Sequence, residues 1–148
     1  MSIDTITLWH KRARPNPTDK DFNVQLGCHF EEIAEMVETL TFHQPGFEDI
    51  PGAESGPYTI LTSIADSLKR GTVTVTVNNR EGFLDAACDQ VVTAVGCGVC
   101  AGMDMERAVA EVNSSNWSKT VDGEFIRDEN GKIAKPTTYH KPNLEGMY

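Results

Sequence analysis

The sequence has few basic residues, no long uninterrupted apolar run and only one segment that resembles a β-strand. Its 148 residues include 13 lysines and arginines against 22 aspartates and glutamates, which gives a net charge of −9. This charge repels a nucleic-acid backbone and argues against a nucleic-acid-binding module. No apolar run approaches the roughly 20 residues that span a bilayer, and the first residues contain no hydrophobic signal segment. We therefore expect a soluble, cytoplasmic protein without membrane or nucleic-acid partners.

Cysteine is also scarce. Cys97 and Cys100 are the only close pair, and no second pair completes a zinc site. We interpret the four cysteines as reduced thiols that are mostly buried within helices.

Apolar residues at intervals of three and four predict an all-α fold. The length favours one domain over residues 1–148. The predicted helices cover residues 4–14, a segment from Asp19 or Asp21 to Phe42, and residues 58–68, 80–101 and 105–113. The fourth is apolar on most sides, which is typical of a helix at the centre of a bundle. We expect four to five helices, followed by an irregular C-terminal arm.

Residues 72–77 alternate threonine and valine, the pattern of a strand, but no second segment of equal quality offers a partner. This segment either pairs across an oligomer interface or is an extended connector. Beyond Asn116, turn signals at Asp122-Gly123 and at residues 129–131 predict a small hairpin or an ordered arm. An unpaired strand and an apolar fourth helix together predict an oligomer.

Acidic residues stand one helical turn apart in two predicted helices. Glu31, Glu32 and Glu35 lie in the second helix, and Asp85 and Asp89 lie in the fourth. Like charges at this spacing repel each other, so their presence in apolar helices suggests a compensating cation. An oxygen-only set of ligands suits Mg²⁺ or Mn²⁺ rather than zinc. The alternative is an ordinary solvated acidic face.

These acids resemble the motifs of the all-α nucleoside triphosphate pyrophosphohydrolases, the MazG-like and phosphoribosyl-ATP pyrophosphohydrolase-like superfamily. The EExxE motif appears as Glu31-Glu32-Ile-Ala-Glu35, within a segment similar to the bacteriophage-type branch. The second motif, usually ExxD, becomes Asp85-Ala-Ala-Cys-Asp89, and the gap between the motifs is longer than usual. Glu111 to Lys119 resembles the N-x-x-K-F element, with Thr120 in place of the aromatic residue. Asp128 to Lys135, together with Tyr139, resembles the phage-type C-terminal arm.

The resemblance implies roles for these residues. Glu32, Glu35, Asp85 and Asp89 would ligate two or three Mg²⁺ or Mn²⁺ ions, and Glu31 would support them or orient water. The residues expected to contact the nucleotide are Asn116, Lys119, Lys132, Lys135 and Tyr139. The resemblance also implies a homodimer or homotetramer. If the protein is of phage origin, we expect it in the cytoplasm of the host cell.

The expected reaction is hydrolysis of a nucleoside triphosphate to a monophosphate and pyrophosphate. The favoured substrate is dGTP or GTP, because one version of the phage branch, the MazZ type, acts on dGTP. The alternatives within the class are clearance of dUTP or dCTP and hydrolysis of phosphoribosyl-ATP. The alternative from another class is a non-catalytic, metal-binding helical assembly protein.

Overall fold

The computed structural model describes residues 3–127 and 133–148. In these residues the chain forms five α-helices and two short hairpins, which confirms the predicted all-α class. The elements in chain order are α1 (Ile3–Ala13), α2 (Asp19–Glu38), β1 (Thr41–Phe42), β2 (Ile50–Pro51), a 3₁₀ turn (Gly52–Glu54), α3 (Gly56–Arg70), α4 (Arg80–Cys100), α5 (Met105–Trp117), β3 (Thr120–Val121) and β4 (Glu124–Phe125).

The chain divides into two compact units. We call Asn16–Val77 the central unit, and Met1–Pro15 together with Asn78–Tyr148 the terminal unit. The central unit contains α2 and α3, and the terminal unit contains α1, α4 and α5. That the chain is a single domain stays a prediction.

Helix α2 begins where the sequence predicts and ends a turn earlier. The Thr18 hydroxyl accepts a hydrogen bond from the Asp21 amide, and the Asp21 carboxylate accepts one from the Thr18 amide. This capping box satisfies two backbone donors that the first turn leaves unpaired. The predicted extension to Phe42 is wrong, because the Leu40 carbonyl accepts from the Gly52 amide and leads the chain into the β1–β2 hairpin.

The core of the central unit lies between α2 and α3, which run in opposite directions. Ala34, Ala65 and Leu68 are each at most 2% exposed. Small residues bring the two helix backbones close together. A Cβ atom on Gly27 would lie only 2.9 Å from the Ala65 carbonyl oxygen. Burying a side chain such as Leu68 contributes about 1.5–3 kcal/mol to the stability of this pair.

The end of α3 is as predicted, whereas the choice between interface strand and connector for residues 72–77 stays a prediction. Gly71 closes α3 in the left-handed conformation, with φ of 73°, as the Lys-Arg-Gly sequence predicts. Residues 72–77 then form no strand with any residue that the structure describes. The segment is held where the Val75 amide donates to Oδ1 of Asn23 at 2.8 Å.

In the terminal unit, Trp9 joins α1 to α5 and to the β3–β4 hairpin. Its indole Nε1 donates to the carbonyl oxygen of Asn116 at 3.0 Å, and its ring packs edge-on against Phe125, with the ring centroids 5.2 Å apart. A second hydrogen bond joins the side chains of Asn113 and Thr5. Trp9 therefore has a structural role, as aromatic residues in small helical proteins usually do.

Both C-terminal features expected from the sequence are present. Asp122 and Gly123, at positive φ, form the turn of the β3–β4 hairpin.

Residues 138–147 then run back along α5. Ser115 donates to the His140 carbonyl, Asn143 donates its amide to Glu111, and Asp104 donates its amide to the Met147 carbonyl. The predicted turn at residues 129–131 lies outside the described residues.

Helix α4 begins as predicted and ends one residue early, but it does not have the predicted environment. The expectation of a central, buried helix is wrong within this chain, because Leu84 and Val92 are 65% and 68% exposed. Its one buried residue is Gly98, which Met105 of α5 covers. The expectation of mostly buried cysteines is also wrong, because Cys88, Cys97 and Cys100 are exposed on this helix; all four cysteines are free thiols. By length and composition alone, this helix would be long and apolar enough to cross a membrane.

Candidate active site

The acids of the EExxE segment project from the middle of α2. Glu32 and Glu35 are exposed, whereas Glu31 is half-buried. Glu31 and Glu35 are one turn apart, so their carboxylates share one side of the helix. Glu35 thus offers an exposed carboxylate one turn from Glu31.

Glu31 is already paired with a cation. Lys69 of α3 donates from Nζ to Oε1 of Glu31 at 2.5 Å, with 28% and 43% of the two side chains exposed. This hydrogen bond, and to a lesser degree the negative charge of Glu31, raises the pKa of the Lys69 ammonium above its ordinary value. The supporting role expected of Glu31 is compatible with this pairing, because its charge is balanced within the protein.

The lysine reaches Glu31 because Gly27 leaves room for it. A Cβ atom on Gly27 would lie 2.8 Å from Cγ of Lys69, so the aliphatic part of the lysine crosses α2 at the glycine. Glu31 follows one turn later on the same side of α2. The ion pair is therefore a product of the close α2–α3 packing.

The second acid pair, Asp85 and Asp89, lies in the first half of α4. Both residues are exposed, like most of their neighbours on this helix. The Asn79 side chain caps the helix by accepting from the Gly82 amide, which fixes the start of α4 one turn before Asp85. The spacing of four residues places both carboxylates on the same side of α4.

These acids do not form a complete metal site by themselves. Within residues 3–127 and 133–148, no three histidine, cysteine, aspartate or glutamate side chains form a group that could hold a metal ion. The glutamates belong to the central unit and the aspartates to the terminal unit. The predicted shared site of four acids stays a prediction.

Four of the five predicted nucleotide-binding residues meet at the end of α5. Nζ of Lys119 donates to Oδ1 of Asn116 at 2.8 Å and lies 5.9 Å from the centroid of the Tyr139 ring. Nζ of Lys135 lies 5.1 Å from the same ring. Ammonium groups at these distances are attracted to the ring electrons. We call Asn116, Lys119, Lys135 and Tyr139 the lysine–tyrosine cluster; the fifth residue, Lys132, lies outside the described residues.

The C-terminal arm places Tyr139 in this cluster. The Ser118 hydroxyl accepts from the His140 amide at 3.1 Å, and Ser115 donates to the His140 carbonyl at 2.7 Å. Both backbone groups next to Tyr139 are thus fixed to α5. On the other side, the Trp9 hydrogen bond holds the Asn116 carbonyl. The cluster is therefore built on helix α5 and not on a loose tail.

Several residues of these sites escaped the sequence analysis. Lys69 is a basic residue in the last turn of α3, and its partner is 38 residues away in the sequence. Arg12 lies 5.5 Å from the ring centroid of Trp117. Ser115 and Ser118 could have been identified from the sequence, because serines near the end of a helix often form hydrogen bonds with backbone groups.

Comparison of the chain with models of protein families, with curated proteins and with solved structures finds no match.

Proposed function

We propose that the chain is a nucleoside triphosphate pyrophosphohydrolase that depends on Mg²⁺ or Mn²⁺. The observation that carries this proposal is the lysine–tyrosine cluster. Two ammonium groups, Lys119 and Lys135, gather around one aromatic ring in a protein of net charge −9. Clustered lysines bind phosphate oxygens as point charges, and the neighbouring Asn116 offers a hydrogen-bonding amide.

The acid pairs supply the second half of the proposal. Mg²⁺ is commonly bound by one or two carboxylates together with substrate phosphates, and keeps several waters. Glu32 with Glu35, and Asp85 with Asp89, fit that mode better than an all-protein cage. We therefore propose that the ions bind together with the nucleotide, two or three per site. When bound, they supply charge neutralisation and a water of lowered pKa.

The chain's own residues then bind and orient the substrate. Lys119 and Lys135 hold the phosphates, Asn116 and Tyr139 fix their position, and Glu31 orients water while Lys69 balances its charge. One water adds across the bond between the α-phosphorus and the bridging oxygen, that bond breaks, and pyrophosphate leaves with the electron pair. The products are a nucleoside monophosphate, pyrophosphate and a proton.

For the substrate we favour dGTP or GTP, on the resemblance of residues 25–36 and 111–119 to the bacteriophage-type branch. Hydrolysis of dUTP, dCTP or phosphoribosyl-ATP is the alternative within the class. A second candidate function is a non-catalytic, metal-binding helical assembly. The observation that favours it is the exposed apolar surface of α4, which an assembly would cover.

The test is release of pyrophosphate from a panel of nucleoside triphosphates with Mg²⁺ and with Mn²⁺, with products identified by chromatography. We expect turnover of a purine deoxynucleotide to fall at least about a hundredfold in Glu35→Gln and Asp89→Asn, because each loses a metal ligand. Glu38→Gln on α2 and Glu81→Gln on α4 are matched controls. Orthophosphate as the product would overturn the mechanism, and no turnover of any nucleotide would favour the assembly protein.

A further inference from the structure

Sulfur-containing residues gather where α4 ends and α5 begins. Cys97 and Cys100 belong to the last turn of α4, Met103 lies in the connection, and Met105 is the first residue of α5. The Met147 carbonyl accepts from the amide of the residue between these two methionines at 2.8 Å. Two of the four cysteines and three of the five methionines of the chain are thus placed at this junction.

The two cysteines offer a pair of thiols on one side of α4. Cys97 and Cys100 are both free and both exposed. Residues three apart in a helix are surface neighbours, with Cβ atoms roughly 5–6 Å apart. Both sulfurs can therefore bind the same ion from solvent.

The thioether of Met105 lies against α4 beside this pair. Its Sδ occupies the space that a Cβ atom on Gly98 would fill, so the glycine admits the sulfur to the helix surface. Gly98 directly follows Cys97 in the sequence and is buried, whereas Met105 itself is half-buried. The packing of α5 on α4 therefore fixes one thioether next to the thiols.

The turn that closes α4 brings Met103 back toward the same place. The Met103 amide donates to the Gly98 carbonyl at 2.9 Å. The Gly102 amide donates to the Val99 carbonyl at 3.0 Å, and Gly102 has φ of 78°. In this motif the residue after the glycine commonly packs against the third and fourth residues from the helix end, here Gly98 and Cys97. Met103 is 45% exposed, so its side chain is open to solvent.

The types of ligand indicate which ion would bind. Structural zinc sites are closed by thiolates, imidazoles and carboxylates. Within residues 3–127 and 133–148, no such third ligand joins the two cysteines. Thiolates together with thioethers select Cu(I), which is a soft ion. The negative end of the α4 dipole also favours a cation at this position.

We propose that the end of α4 binds one Cu(I) ion through Cys97, Cys100, Met103 and Met105, which we call the sulfur site. Each thiol releases its proton to solvent as its sulfur binds the ion, and no electron is transferred. Asp89 precedes Cys97 by roughly 12 Å along the helix axis, so the sulfur site is separate from the acid pairs. The inference is therefore independent of the proposed reaction.

The first measurement is an anaerobic titration of the reduced full chain with Cu(I), with bicinchoninate as the coloured competitor. We expect the chain to take one equivalent of Cu(I) from the competitor. Cys97→Ser and Cys100→Ser should each raise the dissociation constant at least about tenfold, because each loses a thiolate ligand. Cys88→Ser is the matched control, since Cys88 is exposed on the same helix and has no cysteine or methionine within two turns in the sequence. It should leave the dissociation constant unchanged.

The thioethers are tested by a change that conserves volume. Met105→Leu should raise the dissociation constant about three- to tenfold, because it keeps the packing on Gly98 but removes the sulfur. Met36→Leu is its control, since Met36 is 49% exposed on α2. Circular dichroism verifies that each variant is folded.

A final measurement needs no variant. The X-ray absorption spectrum of the Cu(I)-bound, unmodified chain should show only sulfur neighbours around copper. Nitrogen or oxygen neighbours would overturn the proposal, as would an equal effect of Cys88→Ser and Cys97→Ser. Displacement of Cu(I) by an equal concentration of Zn²⁺ would also overturn it.

Discussion

Lys69 donates from Nζ to Oε1 of Glu31 at 2.5 Å, so a cation from α3 balances the first acid of the EExxE segment on α2. If the protein binds divalent ions as proposed, Lys69 would compete with an ion for this carboxylate, and the adjacent acids would receive the ion instead. The charge at the candidate site therefore depends on the packing of α3 against α2, which brings Lys69 to Glu31.

Replacing Lys69 by methionine tests this competition. We expect Mn²⁺ to bind roughly three- to tenfold more tightly to Lys69→Met, measured by calorimetry in the presence of a non-hydrolysable nucleoside triphosphate analogue, because one positive charge near the acids is lost. Lys69→Arg should bind Mn²⁺ like the unmodified protein. Weaker binding by Lys69→Met would contradict the competition.

The same variant has a predicted pH profile of stability. The raised pKa of Lys69 means that the contribution of the pair is fully present below the unfolded-state pKa of lysine and is lost as pH rises through the folded-state pKa. The free-energy difference between Lys69→Met and the unmodified chain should therefore be constant from about pH 6 to 9. Partial exposure limits it to about 0.5–1 kcal/mol. Denaturant unfolding at several pH values measures it.

The lysine–tyrosine cluster is tested by kinetics. Lys119→Met and Lys135→Met should each raise the KM for the nucleotide about ten- to a hundredfold, because a charge-assisted contact to phosphate is lost. Tyr139→Phe keeps the ring and should change KM little, whereas Tyr139→Ala should raise it. Lys141→Met, an exposed position in the same arm, is the control. A similar rise in KM for Lys141→Met would point to a general charge effect.

Two glycine-to-alanine substitutions should have opposite effects on stability. A Cβ at Gly27 meets the Ala65 carbonyl oxygen at 2.9 Å, so Gly27→Ala should push α3 away and cost about 1–3 kcal/mol. A Cβ at Gly96 meets no described atom of the chain within 4 Å, so Gly96→Ala should stabilise α4 by about 0.5–1 kcal/mol. The melting temperatures of both variants, measured by thermal unfolding, test these two expected changes in stability. Equal effects would refute the close α2–α3 packing.

The attachment of the C-terminal arm depends on Ser115, which is 3% exposed. Ser115→Ala leaves the His140 carbonyl without its donor and should cost about 1–2 kcal/mol. Hydrogen exchange of residues 138–147 should become faster, and KM should rise as Tyr139 loses its position. Ser114→Ala, at the exposed neighbouring position, should stay within about 0.5 kcal/mol. Unchanged exchange in Ser115→Ala would show that other contacts hold the arm.

The sequence predicts those features that depend on near neighbours. The starts of α2 and α5 follow from Thr18 and Asp104, and the end of α3 follows from Gly71. In each case the determining atoms lie within a few residues of each other, so composition and spacing suffice. The end of α2 is mispredicted because a distant residue, Gly52, takes the Leu40 carbonyl.

Features that depend on distant partners escape such reasoning. Glu31 and Lys69 are recognisable as charged residues, but nothing local indicates that they pair. An apolar helix predicts burial, yet the sequence does not state which residues cover it, and the described residues leave most of α4 exposed. The cluster at Asn116 and Tyr139 was predictable in part, because a family resemblance carries tertiary information that periodicity lacks.

The hydrogen bond between Asn23 and Val75 also protects the chain against aggregation. Residues 72–77 have the composition of an aggregation-prone strand, with alternating β-branched residues and no charge. Asn23, itself 5% exposed, occupies the Val75 amide in the middle of this segment and blocks its use by another chain. In Asn23→Ala the segment becomes a template for edge-to-edge pairing, so that the chain should precipitate or bind an amyloid dye on storage.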